Sequence, residues 1–495
     1  MYKFILITAL FIFSSSAKER PNILFAIADD MSHAGCFGDT WVKTPNLDRL
    51  AKEGILFENA FVSNPKCGPS RASTLGGRHF WQMQEAAIHW SQWPAKIKIY
   101  TDILAENGYH VGYTGKGWGP GRYNNVREHN PAGQAWDKIT SQSPTKAMSN
   151  TDYAANFKDF IKAKKDGQPF CFWYGAKEPH RKYTKNSGIE SGLKPESVKV
   201  PKYYPDNAIV RNDLLDYALE INWYDHHLGL IVQHLEEIGE LDNTIIVAFS
   251  DNGAPFPRIK GQLYDDDINL PMIARWGKIH KGGAVVKDFV SNIDLGPTFL
   301  DAAGIAIPAE MSGKSFLDIF HANKSGYINP ERNFVCVGRE NHDLGREGDK
   351  GYPVRAIRTE KFLYIRNFAP DRYPSGNPET GYTNIDSSPT KDNILALNEQ
   401  GNDKYYNLTM AKRSQEELYR IDQDSDCIKD LAKNPEYAAI KEKLWKQLSE
   451  QLKATHDPRM GSNPDIFDEY EYVGKSKASH SWEAYENKRF KKQSY

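Results

Sequence analysis

The sequence predicts an α/β protein, with a large, mixed, mostly parallel sheet flanked by helices and a smaller α+β unit after it. Three observations carry this. Short apolar runs rich in Ile, Leu, Val and Phe stop abruptly at polar residues. Amphipathic helical patterns separate those runs. The texture then changes at about Gly351, where the spacing becomes that of a hairpin. A chain of 495 residues is long enough for one large core and a satellite.

Residues 1–17 read as a secretory signal: Lys3 gives the positive start, "FILITALFIF" the apolar stretch and "SSSA" a small-residue cleavage site after Ala17. The apolar stretch is about half of what a bilayer span needs. No later run is long enough to cross a membrane once the signal is removed. "PNILFAIADD" (21–30) reads as a buried strand, too short for a core helix. "TPNLDRLAKEG" reads as a helix capped by Thr44 or Asn46, and "YTDILAENG" as one stopped at Gly108. "QPFCFWYGAKEPH" (168–180) is a second buried strand. "LLDYALEINWYDHHLGLIVQHLEEIG" is a long helix, and "NTIIVAFSDNG" (243–253) repeats the strand design. The larger unit is placed at 18–350 and the smaller at 351–495. In the latter, "YPVRAIRTEKFLYIRNF" reads as two strands, residues 369–402 as a long loop, and the segment up to about Thr455 ends in an amphipathic helix.

Lys and Arg total 63 against 64 Asp and Glu. This balance provides no basic field for nucleic acid or an anionic membrane, so an anionic ligand must be held by local groups. The five cysteines, Cys36, Cys67, Cys171, Cys336 and Cys427, are odd in number and widely spaced. That fits neither a disulfide framework nor a zinc site. Cys67 lies in "NPKCGPSRASTLGGR", a Gly/Pro/Ser-rich stretch where neither core packing nor a local disulfide accounts for it.

Ligands of open α/β sheets gather beyond the carboxyl ends of the strands. Asp29, Asp30, Asp251, Asn252 and His180 fall there. Each acidic pair alone also fits turn or cap chemistry. Together they bring three carboxylates and an amide oxygen to one edge, and such anions repel unless a cation sits between them. An all-oxygen set suits Ca²⁺ or Mg²⁺ rather than zinc. Beside a hard cation a thiolate is a poor ligand, which argues that Cys67 does not remain a thiol.

"CGPSRASTLGGR", with Asp29-Asp30 upstream and "SDNG" downstream, resembles the signature of the type I (formylglycine-dependent) sulfatases. The resemblance extends through "TPNLDRLAKEGILFENAFV", "NGYHVGYTGKGW", "KEPH", "SDNGAPFP" and "ELYRI". It looks closest to the heparan N-sulfatase (sulfamidase)-like branch and bacterial polysaccharide sulfatases. It implies an alkaline-phosphatase-like catalytic domain over 18–350. It also implies conversion of Cys67 to 3-oxoalanine (formylglycine) by a formylglycine-generating maturation enzyme during export. The hydrated aldehyde then attacks sulfur, and its second hydroxyl releases sulfate by collapse to the aldehyde.

By the same resemblance, Asp29, Asp30, Asp251, Asn252 and modified Cys67 hold Ca²⁺, with Mg²⁺ as the alternative. Arg71 orients the hydrated side chain and offsets its charge. Lys116 binds sulfate and steadies the nucleophile, His180 contacts sulfate or the leaving group, and Lys260 is the basic residue after "SDNG". The sequence departs from the family at one place. The family reads Gly-Lys-x-His, with a histidine that helps the hydrated side chain lose its proton, whereas "GKGWGPG" puts Trp118 at that position. His180 and His89 are the candidates for its task, and Trp118 either stacks on a sugar face or simply packs.

Arg339, His342, Arg346, Arg355 and Arg358 cluster in 338–358, and three tryptophans follow the cysteine loop in "HFWQMQEAAIHWSQW". Arginines suit carboxylates and sulfates, and exposed tryptophans suit sugar rings. They fit an anionic, uronate-bearing glycan; a solvated loop and core aromatics are the other reading. The resemblance implies an exported, periplasmic or secreted enzyme of a bacterial setting, hydrolysing sulfate esters of a sulfated polysaccharide such as ulvan or a glycosaminoglycan. A sulfamidase and a phosphonate or phosphate ester hydrolase are the enzymatic alternatives. A catalytically inactive glycan-binding module or a metal-binding structural protein would not need Arg71, Lys116 and Lys260.

Overall fold

A computed structural model describes residues 20–491. The signal expected over 1–17 lies outside the described residues. Eight strands form the large sheet: β1 (Asn22–Ala28), β2 (Ile55–Phe57), β3 (His110–Gly115), β4 (Gln134–Ala135), β5 (Phe170–Gly175), β6 (Thr244–Ser250), β7 (Met272–Arg275) and β8 (Ala284–Val286). Their spatial order is β8-β2-β7-β6-β1-β5-β3-β4, and only β7 runs against its neighbours.

The central strands are apolar on both faces because both faces are covered. Leu24, Ala26 and Ala28 of β1 enter one core, and Ile23, Phe25 and Ile27 the other. Helices α1 (Pro45–Glu53), α2 (Cys67–Gly76), α3 (Tyr100–Glu106), α4 (Tyr153–Ala163), α5 (Ala208–Glu237) and α6 (Leu295–Ala302) divide between them. The first core takes Leu47 and Leu50 of α1, Phe157 and Phe160 of α4, and the Ile221–Leu228 side of α5. The second takes Leu75 of α2, Leu104 of α3 and Phe299 of α6. Thr44 is the N-cap position of α1, but the cap hydrogen bonds come from α5, where Asp225 accepts from Asn46 N (3.1 Å) and Leu47 N (2.8 Å).

The second sheet is antiparallel: β9 (Phe334–Arg339), β10 (Val354–Thr359), β11 (Phe362–Asn367) and β12 (Glu416–Arg420), in that order. It starts ahead of the texture change at 351, since β9 pairs along its length with β10. The expected loop 369–402 contains a helix, α7 (Pro389–Glu399). Ser388 caps it by accepting from Lys391 N, and Pro389 opens it with the φ a helix wants. The expected amphipathic helix is α8 (Ala438–Ala454), which buries Leu444, Leu448 and Leu452 at every fourth position.

Candidate active site

Strand register alone assembles most of the site. Ala28 pairs with Ser250, Ile27 with Gly175, and Gly175 with Gly115, so four parallel strands end at one level. The residues that follow are Asp29-Asp30, Asp251-Asn252, the segment to His180, and Lys116. Helix α2 points its first residue, Cys67, at this edge. Asn292 holds it there, donating Nδ2 to Ser70 O and Thr74 Oγ1, both at 3.0 Å.

Cys67 Sγ lies 3.3 Å from Asp29 Oδ1 and 3.9 Å from Asp30 Oδ1. One ligating atom each from Asp29, Asp30, Cys67 and Asp251 falls within 4.8 Å of all the others. Asn252 donates Nδ2 to Asp30 Oδ1 (2.6 Å) and Gly253 O (2.9 Å), which leaves its buried Oδ1 without a partner among the described residues. An orphaned amide oxygen beside three converging carboxylates fits a hard divalent cation.

Basic groups ring the carboxylates. Arg71 Nε donates to Asp251 Oδ2 (2.6 Å) and Nη1 to Lys116 O and Gly117 O, while Nη2 is buried, 4.0 Å from Asp29 Oδ1, with no hydrogen bond among the described residues. Lys116 Nζ sits 2.5 Å from Asp29 Oδ2, and Lys260 Nζ 2.8 Å from Asp30 Oδ2. Burial works to raise the Asp29 carboxyl, but Lys116, His180, Arg71 and Lys260 outweigh it and hold Asp29 well below the usual range. Burial and the adjacent Asp29 push Asp251 up to about 6. Burial, with Asp29 beside it, pushes the Cys67 thiol well above its ordinary value. A thiol so placed is a poor thiolate. His180 lies with its Nε2 3.9 Å from Asp30 Oδ2 and its Nδ1 2.6 Å from Arg181 O.

These groups form the floor of a cavity of about 1500 Å³. The structure brings Asp29, Cys67, Lys116, His180 and Lys260 onto its lining, and Asp30, Arg71, Asp251 and Asn252 just beneath. It does not bring Arg339, His342 or Trp118 there. Arg339 is buried and donates to Gly261 O and Pro374 O; burial lowers its pKa to about 10. His342 Nε2 meets Asn64 Oδ1 at 2.9 Å. Arg346 donates to Tyr373 O and Pro374 O, Arg355 pairs with Glu340 and Asp457, and Arg358 pairs with Asp265. The expected sugar-facing arginine cluster is therefore a set of buried braces. Trp118 is buried against Trp93 and donates Nε1 to Gly68 O, so it offers no face to a sugar. Of the three tryptophans after the cysteine loop, Trp81 and Trp93 are buried and Trp90 lines the cavity.

Three lining groups were absent from the sequence reading. Asp386, from the loop before α7, meets Lys260 Nζ at 3.1 Å, and Asp343, from the loop after β9, meets Lys66 Nζ at 2.7 Å. Glu220, from α5, buries a carboxyl oxygen with no hydrogen-bond partner among the described residues, below the cavity. No motif marks these positions, although Asp343 adjoins His342.

A sheet of this topology, with an acidic cluster that could hold a metal and a ring of cations at its carboxyl edge, is that of the alkaline-phosphatase-like fold class. A family profile described as "Sulfatase" matches residues 21–305, more than half of the chain, and one described as "N-sulphoglucosamine sulphohydrolase, C-terminal" matches residues 259–368. The chain belongs to the sulfatase family, consistent with a sulfuric ester hydrolase. It is 31% identical over 454 residues to an ulvan-active sulfatase of Formosa agariphila, covering 90% of this chain and 82% of that one. It is 25% identical over 508 residues to the human N-sulphoglucosamine sulphohydrolase, covering 93% and 96%. Among solved structures, one in complex with D-glucosamine-2-N,6-O-disulfate superposes with a TM-score of 0.66 at 20% identity, covering 90% of this chain and 99% of that one. A phosphonate monoester hydrolase from Silicibacter pomeroyi superposes with 0.63 at 16%, covering 88% and 96%. These last two likenesses concern the fold alone.

Proposed function

We propose that the chain is an exported sulfatase that removes sulfate from a sulfated polysaccharide or its oligosaccharides. In this reading Cys67 is first oxidised to formylglycine, and Asp29, Asp30, Asp251 and Asn252 hold a divalent cation, Ca²⁺ in preference to Mg²⁺. The observation that carries it is Cys67 itself. Its thiol is buried among carboxylates that disfavour a thiolate, yet lies within 4.8 Å of the metal-ready oxygens. That environment suits an oxygen nucleophile at residue 67 and not a sulfur one. When bound, the cation supplies Lewis acidity and lowers the pKa of an oxygen at that residue.

The chain's own groups do the rest. Arg71 directs its Nη2 towards Asp29 and offsets charge in the site. Lys116 and Lys260, both kept charged by facing carboxylates, bind the sulfate oxygens and stabilise charge that grows on them. His180 contacts sulfate or the departing group. Trp90 offers the apolar surface against which a sugar ring packs.

The likeness to ulvan-active sulfatases supports an algal O-sulfated polymer. The C-terminal match to the sulphoglucosamine sulphohydrolases supports a second reading, in which the sulfate is N-linked. The test is sulfate release from ulvan, carrageenan, heparan and chondroitin oligosaccharides and N-sulfoglucosamine. The protein would be co-produced with a formylglycine-generating enzyme, with Cys67→Ala as the blank. Release that vanishes in the blank supports the reading and names the sugar. Silence across the panel, with the aldehyde at residue 67 verified by mass, overturns it in favour of an ester other than sulfate.

A further inference from the structure

Trp118 stands where the family carries a histidine, and its indole faces away from that task. It packs edge-on against Trp93, ring centroids 4.9 Å apart, and its Nε1 is spent on Gly68 O at 3.1 Å. Gly68 directly follows Cys67, and a different ring lies against it. A Cβ built on Gly68 would sit 3.4 Å from His89 Cδ2 and 3.3 Å from Pro120 O. The His89 imidazole therefore packs against the backbone next to the nucleophile position.

His89 is 7% exposed and lines the cavity. Its Nδ1 is 3.0 Å from Asp343 Oδ1, while the other Asp343 oxygen takes Lys66 Nζ at 2.7 Å. Its Nε2 is buried and has no partner among the described residues. A carboxylate on Nδ1 selects the tautomer that carries its proton there and leaves a lone pair on Nε2. An oriented imidazole with a bare nitrogen is a proton acceptor in waiting. His180 is placed for other work, since its Nε2 faces Asp30 among the carboxylates.

We propose that His89, oriented by Asp343, performs the proton transfer for which the family uses the histidine that Trp118 replaces; this rests on the sulfatase reading of Cys67. As sulfate leaves, the free hydroxyl at the converted residue 67 gives its proton to His89 Nε2. The O–H electron pair becomes the second carbon–oxygen bond of the aldehyde. The other carbon–oxygen bond breaks, and its electrons depart with sulfate. Asp343 stays charged beside the imidazolium, and the proton passes to water in the cavity. The titratable and charged groups facing His89 are Asp343, Lys66, Lys260 and His342. Burial outweighs Asp343 and holds His89 below its ordinary value.

The test uses full-length, converted protein and the variants His89→Ala, His89→Gln and Asp343→Asn, with melting temperatures measured to exclude misfolded samples. Both His89 variants should lose about 10²–10⁴-fold in kcat with KM little changed, and Asp343→Asn should lose less. Rapid quench and intact-protein mass should find a sulfo group retained on residue 67 in the His89 variants and released in the wild type. A second reading needs no converted enzyme: in Cys67→Ala protein, ¹⁵N shifts should show His89 protonated at Nδ1 and bare at Nε2. Loss of kcat without a retained sulfo group, a change confined to KM, or the opposite tautomer would each overturn the proposal. A wild-type protein that releases no sulfate at all removes the sulfatase reading first, which is a distinct result.

Discussion

Lys116 Nζ and Asp29 Oδ2 are 2.5 Å apart, with Lys116 half-buried against the carboxylate cluster. Replacing Lys116 by Ala removes the cation proposed to bind sulfate and leaves Asp29 with one neutralising partner fewer. We expect kcat to fall about 10²–10³-fold, as for loss of one preorganised donor, measured with the substrate found above. Glu220 gives a test of opposite sign. Burial, with Glu178 and Asp216 adding to it, holds its carboxyl well above the ordinary range. The fold therefore binds that proton more tightly than the unfolded chain does. Its contribution is complete below the unfolded pKa of about 4.3 and is lost as pH rises towards the folded value. Glu220→Gln should match the wild type in thermal unfolding at pH 4 and exceed it at pH 8, by roughly 1 kcal/mol or more. Equal curves at both pH values would contradict this. At this scale the sequence was legible where a residue ends a strand, as with Asp29 or Asn252. It was opaque where only burial decides: Arg339, His342 and Trp118 look alike on paper whether they face a sugar or a carbonyl.

The elements place those residues through close backbone approach. Gly115 ends β3 with φ +76°, and a Cβ there would lie 2.1 Å from Gly175 O; a Cβ on Gly175 would lie 2.0 Å from Lys116 O. Both positions need glycine because the strand ends converge just where Lys116 must turn inward. Gly175→Ala should destabilise by about 3 kcal/mol or more through backbone displacement, visible in urea unfolding. It should also lower kcat by moving Lys116. The strands themselves were readable, since two-sided burial leaves an unbroken apolar run such as "NILFAIA". Helix α7 was hidden in a stretch of Pro, Gly and Asn that reads as loop, although Ser388-Pro389 is a helix-start pair. Strand β9 was missed because it precedes the hairpin that drew attention to β10 and β11.

On the scale of the molecule, the cavity belongs to both units. The sheet domain lays down the carboxylates and cations, and the chain from β9 onward brings Asp343, Asp386 and Trp90's neighbour Tyr472 to the lining. The three carboxylates of the site repel one another when nothing lies between them. Chelation should therefore lower the melting temperature, and added Ca²⁺ should raise it by an amount that grows with the logarithm of its concentration. A melting curve indifferent to chelator would remove the metal reading.

Helix α2 has a further consequence. Every one of its residues is buried, and Cys67 is 2% exposed. A catalyst that must grasp this segment has no handle on it once the chain has closed. In the proposed reading, oxidation of Cys67 and folding are rivals in time, and a molecule that folds first is stranded. Supplying the maturation enzyme to native protein should leave the thiol untouched, whereas supplying it to the same protein unfolded in urea, and then diluting, should yield the aldehyde. On that proposal, what a producing cell has to control is the order of two events, and the stock of folded enzyme keeps a permanent record of which came first.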